Sequence, residues 1–267
     1  LSTSGTGTEG TDYSTISDIT VTAGNTTGTA SFTPTDDSVY EGNETGVVAI
    51  STVSGGSANE SGTPQEVTIT INDNESAPTV TLSSSATSIS EDAGSSLTLT
   101  ATLSVATTAD VTVGISTSGT GTEGTDYSTI SDITISAGAT TGTASFTPTD
   151  DSIYEGNETG IVAISTVSGG SATEDGTQSV TITINEDETA PVVNLSINNS
   201  SIAENSDGTI TVTATLSFAT IINTTVVIDT SGTATEGTDY GSISNITINA
   251  GDTTGTATFD PTDDSIY

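Results

Sequence analysis

The sequence contains no Lys, Arg, His, Cys, Met or Trp in 267 residues. The lack of any cationic side chain excludes direct binding to a nucleic-acid backbone, which needs Lys or Arg to displace counterions. It also excludes attraction to an anionic membrane surface unless a cation bridges the two. Without His, Cys or Lys, a nucleophile such as Ser has no usual activating partner, so no catalytic constellation assembles. A hydrolase built on paired carboxylates would need only acids, but aromatic residues are 4% of the chain and no sugar platform accompanies them. We therefore expect no enzymatic activity. The absence of Cys fits a cytosolic protein, or a surface protein stabilised by metals instead of disulfides. No apolar run approaches the ~18 residues of a membrane span. The chain opens in mid-repeat, so the missing signal peptide decides nothing.

What is present is acid: 35 Asp plus Glu and a formal charge of −35. A disordered acidic tail would show little strand patterning. Here acids make up only 13% of residues and are grouped, while Val, Ile and Leu alternate with Thr. The folded alternative uses a metal as the missing positive charge.

Internal repetition sets the organisation. Asp12-Tyr13 recurs as Asp126-Tyr127 and Asp239-Tyr240, and Ala77-Pro78 recurs as Ala190-Pro191, at intervals of 113 or 114 residues. The one-residue difference falls near Pro64 and reads as a loop insertion. The expected units are 1–76 and 191–267, both incomplete, and a complete unit at 77–190. A repeat of this size is a β-sandwich domain and not a solenoid turn.

Within the complete unit, Leu97, Leu99, Ala101 and Leu103 alternate with Ser and Thr. That is the two-residue period of a half-buried strand. Val80/Leu82, Ile89, Val111/Val113/Ile115, Ile133/Ile135, Ala144/Phe146, Val162/Ile164 and Val180/Ile182/Ile184 continue the series. Seven or eight short strands with no helical period predict an all-β, immunoglobulin-like antiparallel sandwich. The Thr on the opposite strand faces are the β-favouring choice for a solvated surface. Read otherwise, they form an ice- or ligand-binding face.

The acids fall in loops: Glu91/Asp92; Glu123 and Asp126; Asp150, Asp151, Glu155 and Glu158; and Glu186, Asp187 and Glu188. Sandwich loops gather at the two ends. Two carboxylates ~4 Å apart repel by about 4 kcal/mol at an effective dielectric of ~20. Several such pairs rival the ~5–15 kcal/mol stability of a domain. Oxygen-only donors exclude a typical zinc or copper site, and calcium tolerates such a flexible multi-carboxylate shell better than magnesium does. A solvated acidic rim is the plainer alternative.

GTDY before a strand, the loop DDSIYEGNE (DDxxxExxE) and an acidic run closing the last strand resemble the Calx-beta domain. That module occurs in sodium–calcium exchangers and in large microbial surface proteins. The resemblance implies two or more calcium ions per complete unit. It places their ligands at Glu91, Asp126, Asp150, Asp151, Glu155, Glu158, Glu186, Asp187 and Glu188. The first unit then offers Asp12, Asp36, Asp37, Glu41, Glu44, Asp73 and Glu75, and the third Glu204, Asp239, Asp263 and Asp264. Two departures stand out. The family's closing run is mostly Asp, whereas this chain has Asn185-Glu186-Asp187-Glu188. Gly160 and Gly46 occupy a position where the family packs an aromatic inward, which leaves a looser core or one filled from another strand.

The expected function is an extracellular or cell-surface structural or adhesive array, stiffened by calcium at its domain junctions. Its partners would be neighbouring identical repeats, or subunits of a homopolymeric filament joined by strand donation. A calcium-sensing regulatory module is the other reading of the same acids, and would need tighter sites.

Overall fold

The computed structural model describes residues 1–62 and 65–264. The insertion near Pro64 and the end of the third acidic loop, Ser265 to Tyr267, lie outside the described residues. The first unit contains β1 (Ser2–Gly5), β2 (Val39–Tyr40), β3 (Glu44–Ala49) and β4 (Glu66–Ile71). The complete unit begins with β5 (Thr79–Ser84), β6 (Ser88–Ser90), β7 (Leu97–Leu103), β8 (Ala106–Thr107) and β9 (Val111–Gly119). It continues through β10 (Ile133–Ile135), β11 (Thr141–Phe146) and β12 (Ile153–Tyr154) to β13 (Glu158–Ser168), β14 (Thr173–Glu174) and β15 (Ser179–Asn185). The third has β16 (Val193–Ile197), β17 (Ile210–Leu216), β18 (Ala219–Thr220), β19 (Thr224–Val226), β20 (Ile246–Ile248) and β21 (Thr254–Phe259).

In the complete unit the strands form two sheets, ordered β10-β9-β13-β15-β6 and β11-β7-β5-β14. Alternation along each strand turns one face inward. Val80, Leu99 and Ala101 from one sheet meet Val111, Val113, Ile133, Ile135, Val162 and Ile182 from the other, all fully buried. Most pairings are antiparallel, as the alternation predicts. Two are not: β6 runs parallel to β15, and β14 runs parallel to β5. The chain crosses from one sheet to the other between β5 and β6, and β6 joins the far edge pointing the same way as β15.

The glycine positions are resolved by packing from another strand. Tyr127 stacks on Phe146 with ring centroids 4.6 Å apart, and both rings are buried. A Cβ on Gly160 would stand 2.7 Å from the Phe146 ring. Phe146, carried by β11, thus takes the space that an aromatic on β13 would otherwise fill. The same arrangement recurs as Tyr13, Phe32 and Gly46 in the first unit.

Two further pairings cross between units. Val39-Tyr40 of β2 lies parallel to Ala106-Thr107 of β8, and Ile153-Tyr154 of β12 lies parallel to Ala219-Thr220 of β18. Each joins the acidic loop of one unit to the unit that follows.

Candidate metal centre

The acidic loop is held in shape by carboxylates before any ion is considered. Asp151 Oδ1 accepts the backbone N–H of Ile153 at 2.7 Å. Glu186, at the end of β15, accepts the N–H groups of Glu155 and Gly156 with one oxygen, both at 2.6 Å. In return, Asn157 Oδ1 accepts the Glu186 N–H at 3.1 Å. The first unit builds the same clamp with a shorter side chain: Asp73 Oδ2 accepts from Glu41 and Gly42 at 2.7 and 2.6 Å. Burial alone would raise the pKa of Glu186 and Asp73, but these backbone donors outweigh it and hold both below the ordinary carboxylate range.

Around this clamp the complete unit gathers two clusters. Glu91, Glu186, Asp187 and Glu188 bring carboxylate oxygens within 4.8 Å of one another, and so do Asp126, Glu155 and Glu158. The first unit repeats the second cluster as Asp12, Glu41 and Glu44. Oxygens so spaced fit a shell of radius 2.3–2.6 Å, the calcium–oxygen distance. Glu188 Oε2 is buried with no hydrogen-bond partner among the described residues. In the first unit, Asp37, Glu41, Asp73 and Glu75 line a cavity of about 40 Å³, room for roughly one ion or water.

Proton affinities record the crowding. Glu91 is 8% exposed, and burial together with Glu186, Asp151, Glu188 and Glu155 pushes its pKa to about 7. Glu158 reaches about 7 through burial and the charges of Asp126 and Glu155. Glu188 reaches about 7 through a shared hydrogen bond with Glu186, then burial and Asp187. Burial and neighbouring acids also raise Glu155, Asp187, Glu41, Glu44 and Glu75. Lost hydration, like-charge repulsion and carboxyl–carboxylate hydrogen bonds together produce these shifts, and the chain has no cationic side chain to relieve them.

The remaining expected residues lie at the margin. Asp151 touches both clusters electrostatically, through Glu91 and Glu155, and Asp150 acts on Asp187. Asp36 acts on Glu75 and Asp37 on Glu41. In the third unit, Glu204, Asp239 and Asp264 line one groove. The Asp264 N–H approaches Glu204 Oε1 at 3.4 Å. Asp263 is not among the residues of that groove.

Glu123 belongs to the frame and not to the clusters. It accepts from the Thr117 hydroxyl at 2.6 Å and the Ile130 N–H at 2.7 Å. Asp92 is a contributor that the ligand set omits, since its charge raises the pKa of Asp187. Its place beside Glu91 was the only sequence signal for it.

The chain is also similar to known proteins. The Calx-beta domain profile matches residues 1–75, 73–188 and 186–267. The chain is similar to the solved structure of CBD12 from CALX1.2, at 17% identity over 67% of this chain and 73% of that one, with a TM-score of 0.34. It is similar to calcium binding domain CBD12 of CALX1.1, at 15% identity over 66% and 73%, with the same TM-score of 0.34. A two-domain protein with unknown function from Bacteroides fragilis NCTC 9343 matches at 9% identity over 69% and 84%, with a TM-score of 0.30. No curated protein matches. Calx-beta domains are non-catalytic modules, typical of extracellular and cell-surface proteins, that bind calcium at acidic loops. The chain belongs to the Calx-beta domain family, as a tandem of three such domains.

Proposed function

We propose that this chain is a segment of a cell-surface array in which calcium, held at the acidic loops, stiffens the junctions between successive domains. The observation that carries the reading is the placement of the Glu91–Glu186–Asp187–Glu188 cluster beside Ala190-Pro191, where one unit passes to the next. With no protein cation to neutralise it, this end of the domain repels itself. A divalent ion there would draw the closing run onto the acidic loop and restrict bending.

The proposed ligands are the two clusters of the complete unit with Asp150 and Asp151 at their edge. The corresponding acids of the first and third units complete the set. The proposed units are 1–76, 77–190 and 191–267, and each unit's first partner is its neighbour. Weak sites of about 10⁻⁴–10⁻³ M suit such an extracellular module.

Chelation tests the proposal. Calcium should raise the melting temperature, and its removal should open the inter-unit connections to protease. If chelator changes neither quantity, the stiffening role is wrong. A calorimetric affinity near cytosolic calcium levels would favour a sensor instead.

A further inference from the structure

We infer that the two residues in the middle of each acidic loop are a docking arm, and that its partner is an Ala-Thr step on the following repeat. The arm is Val39-Tyr40 in the first unit and Ile153-Tyr154 in the second; the receptors are Ala106-Thr107 and Ala219-Thr220. Both junctions use the same parallel register. This goes beyond the metal reading and needs no ion.

The arm is presented in a fixed shape. On its N-terminal side, Asp37 and Asp151 accept the N–H groups of Val39 and Ile153 at 2.8 and 2.7 Å. On its C-terminal side, Asp73 and Glu186 clamp the next two N–H groups. Anchoring at both ends removes most of the ordering cost of docking.

The receptor is equally specific. Ala106 and Ala219 are buried, as are Thr107 and Thr220. Each Thr hydroxyl donates to the carbonyl two residues on, Ala109 at 2.6 Å and Ile222 at 2.7 Å. A small residue lets the arm's backbone approach, and the inward-bonded hydroxyl makes no demand on it. The third unit's divergence sharpens the point. Around the step, Val105, Thr108, Ala109 and Asp110 become Phe218, Ile221, Ile222 and Asn223, yet Ala-Thr is unchanged.

A two-residue bridge is too short to hold two separate molecules together. Here the connection 186–192 ties arm and receptor together, which makes docking intramolecular at an effective concentration near the millimolar range. A weak contact then suffices to set the orientation between units, and it acts in one direction, from each repeat to the next.

Spin-label distances in the full chain test this. The chain has no Cys, so Thr134→Cys and Thr247→Cys, at exposed positions of β10 and β20, report the second junction alone. The unaltered junction should give one narrow distance in calcium. Ile153→Gly/Tyr154→Gly in the arm, or Ala219→Leu in the receptor, should broaden it. The two glycines leave the backbone bonds available but add conformational freedom that docking must remove, which lowers the docked-to-free ratio by roughly tenfold. A narrow, unshifted distance in the arm variant would overturn the inference, and that variant decides alone if Ala219→Leu unfolds the third unit. Calorimetry on the same samples separates the two readings. An arm variant that undocks while still binding calcium supports the arm; an unaltered junction that stays narrow without binding calcium leaves the arm standing and removes the metal.

Discussion

Residues 19–32 of the first unit (ITVTAGNTTGTASF) and 133–146 of the second (ITISAGATTGTASF) are nearly the same sequence with different structures. In the second unit they form β10 and β11, with Ile133 and Ile135 fully buried. In the first they form no strand, and Ile19 and Val21 are 44% and 52% exposed. The cause is the partner. β10 pairs with Val111–Val113 and β11 with Leu97–Leu103, whereas no strand among the described residues of the first unit pairs with 19–32. The third unit makes the converse case. Its sequence has drifted, yet Ile246 and Ile248 are 1% exposed because β19 and β21 are there to receive them. Strand propensity is a weak prior, and cross-strand pairing decides.

The largest expected effect comes from supplying that partner. Placing a copy of residues 77–114 ahead of Leu1 should turn 19–32 into two strands. Hydrogen exchange at Ile19 and Val21 should then slow by orders of magnitude, from the local-opening regime toward the global one. Unchanged exchange would break the comparison.

Next is Gly160→Ala, which drives a methyl into the Phe146 ring and should cost about 1–3 kcal/mol in urea unfolding. Gly46→Ala should cost less, because Phe32 is only half-buried and its segment is not tied into a sheet. Equal costs would mean that the first unit's core is as rigid as the second's.

Glu91→Gln removes one carboxylate from the cluster with Glu186, Asp187 and Glu188. It should weaken calcium binding at the second unit by roughly one order of magnitude, following ligand charge count. The metal-free protein should become more stable, since a buried repulsive charge is gone.

The smallest effect is in pH. Glu91, Glu158 and Glu188 have folded pKa values raised to about 7 from 4.5. Between those values the folded state binds more protons than the unfolded one, so metal-free stability should fall as pH rises from about 4.5 to 7. Calcium competes with the same protons, so its stabilisation should grow over that interval. Melting curves with and without chelator check both slopes.

Much of this was legible beforehand. The alternation of Leu99, Ala101 and Leu103 names the inward face of β7, and all three are buried. The grouping of acids into loops named most members of the clusters. It did not separate Glu123 from Asp126, because both stand in the same turn. Only the return of the chain past Thr117 and Ile130 turns Glu123 into a brace. Nor could spacing show that Glu186 clamps a loop 30 residues away, or that Phe146 fills the space above Gly160.

The sequence by itself determined the repeat, the all-β class, the inward residues of most strands and the grouping of the acids into loops, because each is written in local period or composition. The tertiary structure alone decided which near-identical segment becomes a strand and which acids share a cluster. It also decided that the acidic loop reaches across to the next domain. Those outcomes depend on which distant backbone groups are present to accept a hydrogen bond, and on how closely folding forces like charges together.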